Sequence, residues 1–395
     1  MMRSHALPPP VHSAREAWAA ARRILCVRLD ALGDVLMTTP ALRALKAAGT
    51  GRELTLLASP AGAPAARHVP DIDHVLVYEA PWVKYPHPPE PAAFETLLST
   101  LRAGRYDAAV IFTVYSQSAL PAAMLCWQAG IPLRLAYSRE NPYHLLSDWE
   151  PEREPEPLLR HEVVRQLELV ASVGARTGDT RMAFRLHAED DARALRILHA
   201  AGVDAERGWI VVYPGASAAS RRYPIAQYAA ALRRFAHVRH RPVLVTGSAA
   251  ERTLIEELVA QLPGAVGLAG TLSIGELACV LARAALLVAN NTGPTHIAAA
   301  LGTPTVVLYA LTNPQHTPWQ VPHRVLTHDV PCRWCYRSVC VSGHHDCLRG
   351  VRPEDVARAA LELLEETRVP SRAVTAEACV FDNRRPRQEE RLCTR

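Results

Sequence analysis

Three short stretches of this chain combine residue types and spacings that suit chemistry on a charged substrate. The first runs Arg28-Leu-Asp-Ala-Leu-Gly33-Asp34-Val-Leu-Met-Thr-Thr-Pro40. An apolar strand breaks at a glycine and enters a helix with an acid in its first turn. In an open α/β sheet that point lies at the carboxyl ends of the strands, where ligands bind. Gly33 leaves room for a close approach to the backbone, and Asp34 is the candidate base. The competing reading of Asp34 is a plain helix cap that satisfies free amides. A helix dipole weakens such a base but keeps it ionised, so it can accept a proton late in a displacement.

The second stretch, Tyr213-Pro-Gly-Ala-Ser217-Ala-Ala-Ser220-Arg221-Arg222-Tyr223-Pro224, follows an apolar strand with small residues that expose backbone amides. Ser217 adds a hydroxyl, and Arg221 a charge able to stabilise a leaving diphosphate. The alternative is a solvated arginine pair beside a helix entry. The third, Asn290-Asn291-Thr292-Gly293-Pro294-Thr295-His296, again joins a strand end to a helix start, with proline where the first turn tolerates it. Thr292 and the amides behind it suit a phosphate at a helix N-terminus. His296 falls within a turn of that point; a buried structural histidine is the plainer reading.

A fourth cluster is Cys332-x2-Cys335-x4-Cys340-x6-Cys347, with His344 and His345 inside the last interval. Four thiolates at short spacing suit a structural zinc or iron that staples a loop too short for its own core. Reduced or disulfide-paired thiols are the alternative. The role is structural either way, because four thiolates leave no open coordination position. Cys26, Cys126, Cys279, Cys379 and Cys393 are scattered and read as buried or tail thiols.

Strand and helix signals alternate from residue 24 onward, the pattern of parallel sheets covered by helices. Ile24–Leu29, Leu54–Ala58, Val75–Tyr78, Ala108–Phe112 and Leu133–Tyr137 read as strands of one doubly wound unit. The proline-rich EPEREPEP stretch between Trp149 and Pro157 reads as a surface loop, followed by an amphipathic helix over Leu158–Val173. A second series has strands at Ile210–Tyr213, Val243–Val245, Ala265–Leu268, Leu286–Ala289 and Thr305–Leu308, with helices at Ile225–Phe235, Ala249–Leu262, Ile274–Ala284 and Pro294–Leu301. The expected organisation is a flexible leader over 1–23, Rossmann-like domains over 24–180 and 181–369, and a flexible basic tail over 370–395. The cysteine-rich loop 332–347 belongs to the second domain.

The chain has 395 residues, 49% of them hydrophobic and 21% charged, with 44 Lys+Arg against 39 Asp+Glu and a formal charge of +5. That excludes extensive disorder and fits two cores facing a cleft. The small positive excess favours anionic partners without forming the Lys/Arg-dense face of a nucleic-acid binder. The uncharged run Ala108–Leu133 is interrupted by Pro121, Gly130 and Pro132, so it reads as strand, loop and helix and not as a membrane span. No signal core opens the chain, and the expected location is the cytoplasm, with at most peripheral contact at the inner face of the membrane. Neither half has a Gly-x-Gly-x-x-Gly after its first strand, and no Gly-x-x-x-x-Gly-Lys occurs, which disfavours dinucleotide and P-loop chemistry.

Four segments in order, RLDALGDVLMTTPALRALK, YPGASAASRRYP, VTGSAAE and NNTGPTHIAAALGTPTVVLYALTNPQHTPW, resemble those of the ADP-heptose:lipopolysaccharide heptosyltransferases of glycosyltransferase family 9. The resemblance extends from about residue 24 to 365. It implies the GT-B architecture of two Rossmann-like domains, a donor held in the interdomain cleft, inversion at the anomeric carbon and no catalytic metal ion. It also implies roles. Asp34 takes the acceptor proton; Ser217 and Arg221 hold the donor diphosphate, with arginine where the family has lysine. Glu251 meets the adenosine ribose, and Thr292, Gly293 and His296 form the phosphate-binding turn. Two positions depart from the pattern: Asn291 replaces an aspartate that contacts the donor sugar, and Tyr213 replaces the histidine of a His-Pro-Gly start. The expected partners are an ADP-heptose-like donor and a saccharide or glycolipid acceptor. Two alternatives are transfer to a protein acceptor and transfer of a different nucleotide sugar. A third, non-enzymatic reading is a nucleotide-sugar-binding scaffold.

Overall fold

The computed structural model describes residues 11–367 except 86, 157–158, 205–207, 236–240, 313–314 and 336. Its strands form two six-stranded parallel sheets. The first has the order β3-β2-β1-β4-β5-β6, where β1 is Arg23–Arg28, β2 Glu53–Ala58, β3 His74–Val77, β4 Ala108–Ile111, β5 Leu133–Ser138 and β6 Asp148–Pro151. The second has the order β12-β11-β10-β7-β8-β9, where β7 is Trp209–Tyr213, β8 Val243–Gly247, β9 Val266–Ala269, β10 Ala284–Asn290, β11 Thr305–Leu308 and β12 His323–Leu326. Each half is therefore doubly wound, as expected, with its order reversing beside its first strand. Helices cover both faces, so central strands such as β1, with five of its six residues buried, are nearly continuous apolar runs.

The ten expected strands are present, and each half has one more, β6 and β12, at its edge. Their sequences, DWEP and HRVL, show no buried alternation, because an edge strand needs little apolar surface. The EPEREPEP stretch is correspondingly not a plain surface loop. It supplies the end of β6, and Glu154 is fully buried, where Arg165 Nη1 reaches its Oε2 at 2.6 Å. The following helix is Glu162–Ser172, shorter than expected because His161 caps it, accepting from Val163 N at 3.2 Å.

The leader is not wholly flexible. A helix spans Val11–Ala20, and Trp18 is buried with its indole N–H donating to Asp148 Oδ2 at 2.9 Å, so this helix closes the edge of the first sheet. Residues 1–10 and the tail 370–395, with Cys379 and Cys393, lie outside the described residues. Cys26, Cys126 and Cys279 are buried free thiols. Among the described residues no helix is long and apolar enough to cross a membrane.

One hydrophobic cluster runs through both halves, from Trp18 and Leu36 to Trp209, Leu281 and Ile297. Two helix contacts carry it. Ala188–Ala200 packs on Ile274–Arg283, and Leu32–Ala47 packs on Gly293–Leu301. The second contact sets the helix start after β1 against the helix start after β10.

Candidate functional site

Asp34 lies in the first turn of the helix Leu32–Ala47, and its Oδ2 accepts from Ala31 N at 3.1 Å. It is thus a cap, as the plainer reading held, but its other oxygen faces a charged cluster. Arg28, at the end of β1, is fully buried and forked among three carboxylates. Its Nε is 3.1 Å from Asp30, and its Nη2 is 3.3 Å from Asp34 Oδ1 and 2.9 Å from Glu162 Oε1. Gln166 donates to the same Glu162 oxygen at 2.6 Å. Burial pushes the Asp34 carboxyl up, but Arg28, His316, His296 and the Ala31 N–H more than offset this and hold it below the usual carboxylate range. Burial raises Asp30 in spite of Arg28. The cluster therefore holds Asp34 in its ionised form.

The two halves meet at this point. A Cβ on Gly33 would lie 2.5 Å from His296 Cδ2, so the room at this glycine is filled by the histidine ring and is not open to a substrate. Across the same contact, a Cβ on Gly293 would touch Leu32 at 3.1 Å. His296 is buried, and its Nδ1 has no hydrogen-bond partner among the described residues. Burial, with His316 adding to it, pushes its pKa down to about 3, although Asp34 pulls the other way. The ring is neutral at neutral pH, and Arg221 acts on it as well.

The turns of the second half are ordered by buried side chains. Asn290, at the end of β10, is fully buried; its amide donates to Pro214 O at 2.7 Å and its Oδ1 accepts from Tyr223 N and Tyr228 Oη, each at 3.1 Å. One side chain thus fixes the turn after β7 to the turn after β10. Arg221 ends a short 3₁₀ turn, Ala219–Arg221, and its Nε is buried without a partner among the described residues. Ser217 is exposed in the same loop. Asn291 is buried with its Oδ1 likewise unpartnered, while Thr292 caps the helix Gly293–Leu301 with extended backbone. Glu251 Oε2 accepts from Ser248 N and Ser248 Oγ, each at 2.8 Å, and from Tyr213 Oη at 3.0 Å. Gly215 lies close beside it: a Cβ there would come within 1.8 Å of Glu251 Oε1 and push that carboxylate aside.

The cysteine quartet is brought together, though not as a metal centre. Cys332, Cys335, Cys340 and Cys347 line one cavity of about 350 Å³ with Ser220 and His344. Among the described residues no group of three or more Cys, His, Asp or Glu is close enough to hold a metal ion, so the expected zinc or iron site is not supported. The loop holds the turn carrying Arg221 through its backbone. Ser220 Oγ donates to Arg337 O at 2.7 Å, and Ser220 N to Ser338 O at 3.2 Å.

The sequence reading named Arg28 and Asn290 in its stretches without giving them a part, and it missed Glu162. Arg28 carried a signal nonetheless: it closes the apolar run Ile24–Val27 six residues before Asp34.

Residues 95–345 match the model of glycosyltransferase family 9 (heptosyltransferase). The chain is similar to lipopolysaccharide heptosyltransferase 2 of Escherichia coli, with 26% identity over 364 residues that take in 87% of this chain and 99% of that protein. Among solved structures it resembles a family 9 glycosyl transferase of Veillonella parvula, with TM-score 0.74 and 21% identity over 88% of this chain and 98% of that one. It also resembles the ADP-heptose lps heptosyltransferase II of Escherichia coli, with TM-score 0.68 and 22% identity over 88% of this chain and 100% of that one. These two structures share its fold of paired Rossmann-like domains.

Proposed function

The chain belongs to glycosyltransferase family 9, the heptosyltransferases, and from that premise we propose that it moves a heptose-like sugar from an ADP-sugar donor to a saccharide acceptor of lipopolysaccharide or a related envelope glycan, with inversion. The observation that carries this reading is the meeting of Asp34 with the second half: its helix start packs at Gly33 on His296, from the turn and helix that follow β10.

In the proposed mechanism Asp34 accepts the proton of the acceptor hydroxyl as that oxygen bonds to the anomeric carbon. The bond from that carbon to the diphosphate oxygen breaks, and its electron pair leaves with the diphosphate. A carboxylate held below its usual pKa takes the proton late, when the oxygen has become acidic by bonding to carbon. Arg221, Ser217 and the helix start at Thr292 and Gly293 meet the growing charge on the diphosphate. The amide of Asn291 reaches the sugar, Glu251 the ribose. Closure of the two halves excludes water. Acceptors approach from the first half, where Gln117 donates to Asp30 at 2.7 Å beside a polar cavity of about 190 Å³ lined by Ser116, Ser118 and Arg139. We place the reaction in the cytoplasm, with no more than peripheral contact with the inner face of the membrane. The replacement of aspartate by Asn291 favours, as second reading, transfer of a different sugar by the same displacement.

Calorimetric titration with ADP, UDP, GDP and NAD tests the donor class. Selective binding of ADP, lost in Arg221→Ala, is expected; preference for UDP or GDP would refute the ADP-heptose donor, and binding of none would count against nucleotide-sugar transfer altogether. Tyr213→Phe frees Glu251 from its hydroxyl partner and is expected to weaken ADP binding about fivefold, the worth of roughly one hydrogen bond. An unchanged affinity in the same titration would remove Glu251 from the ribose contact.

A further inference from the structure

Residues 315–317 of the second half are fixed to the first half on both sides of His316. Glu162 N donates to Gln315 O at 3.2 Å, and His161 Nε2 lies 2.9 Å from Thr317 O. Between these two contacts His316 points at the base, its Nε2 3.8 Å from Asp34 Oδ1. Its side chain is 13% exposed, and Nε2 has no hydrogen-bond partner among the described residues. The gap is too long for a direct hydrogen bond. An oxygen set off the line between the two atoms, about 2.8 Å from each, would satisfy both. The groups that face His316 are Asp34 from the helix Leu32–Ala47, His296 from the helix Gly293–Leu301, and His161 at the start of the helix Glu162–Ser172. His161 and His296 are held neutral by burial, with pKa values pushed down to about 4 and about 3.

We propose that His316 is a second catalytic residue, which together with Asp34 seats the acceptor hydroxyl between the two halves. The inference rests on the transfer reaction set out above. With its proton on Nε2, His316 donates to the acceptor oxygen, while that oxygen donates its own proton to Asp34 Oδ1. One lone pair is left free to attack the anomeric carbon. As the carbon–oxygen bond forms, the proton passes to Asp34, the diphosphate leaves with its electron pair, and His316 keeps its proton throughout. Because its two seats belong to different halves, the hydroxyl is aligned only when the halves meet.

The test measures transfer from ADP-heptose to a heptose-free lipopolysaccharide core oligosaccharide, with ADP affinity read separately by calorimetry. His316→Ala is expected to lower kcat about 100-fold, the scale for a reacting oxygen displaced by about an ångström, with ADP affinity unchanged and the acceptor KM raised. His316→Gln, which restores an N–H donor, is expected to recover most of the rate. Wild-type kcat in His316→Ala would overturn the proposal. So would a His316→Gln variant that folds and binds ADP yet is no faster than His316→Ala. Asp34→Asn is run in parallel: if it transfers at the wild-type rate, the displacement mechanism itself is wrong and the role of His316 falls with it. If Asp34→Asn is inactive while His316→Ala is not, only the role of His316 fails.

Discussion

Asp34→Asn is expected to reduce transfer by about 10²–10⁴-fold, the usual range for losing a general base, with ADP binding unchanged. Asparagine keeps the shape and still accepts from Ala31 N, whose bond to Asp34 Oδ2 is 3.1 Å. What it loses is the capacity to take a proton. Stability should respond with a definite sign. The carboxyl of Asp34 is held below its usual range in the folded chain, so its ionised form contributes stability above the unfolded pKa. That contribution is lost as pH falls through the folded value. The variant should therefore melt somewhat below the wild type at neutral pH, with the gap closing in acid. Steady-state transfer rates and melting curves at neutral and acid pH check both statements. Wild-type turnover would remove Asp34 from the chemistry, and a gap that widens in acid would contradict the charge assignment.

Arg28→Leu is expected to be the most destabilising single change in the site, by about 3–5 kcal/mol, because it strands buried carboxylates without their counter-charge. Glu162, fully buried, would keep only the Gln166 amide at 2.6 Å. Asp30 would keep Gln117 at 2.7 Å. Arg28→Lys should recover only part of this, since one ammonium cannot reproduce a guanidinium fork that reaches Asp30, Asp34 and Glu162 at 3.1, 3.3 and 2.9 Å. Adding Glu162→Leu to Arg28→Leu should restore only part of the stability, because it removes one stranded carboxylate while Asp30 and Asp34 still lack their counter-charge. Urea denaturation of the single and double variants measures each step. A single variant that unfolds like the wild type would show the cluster to be solvated.

What the sequence made legible follows from where apolar residues must go. Strands such as β1 and β10, buried on both faces, are near-continuous apolar runs, and their carboxyl ends locate Asp34, Arg221 and Thr292 without further information. The edge strands β6 and β12 escaped because their residues need not be buried. Buried charge escaped for a related reason. Arg28 and Glu154 look like solvated residues until their partners arrive from distant segments: Glu162 lies 134 positions beyond Arg28. Gly33 was read correctly as a place of close approach but with the wrong neighbour, because the sequence cannot say that a histidine ring from the other half fills the space. Spacing gathered the four cysteines into one loop. It did not determine whether their side chains come close enough together to hold a metal ion, and among the described residues they do not.

The bond from Ser220 to Arg337 O spans 117 positions. During synthesis the turn carrying Arg221 leaves the ribosome well before the carbonyls that fix it, so a nascent chain that has already formed its first sheet still lacks the anchor of this turn.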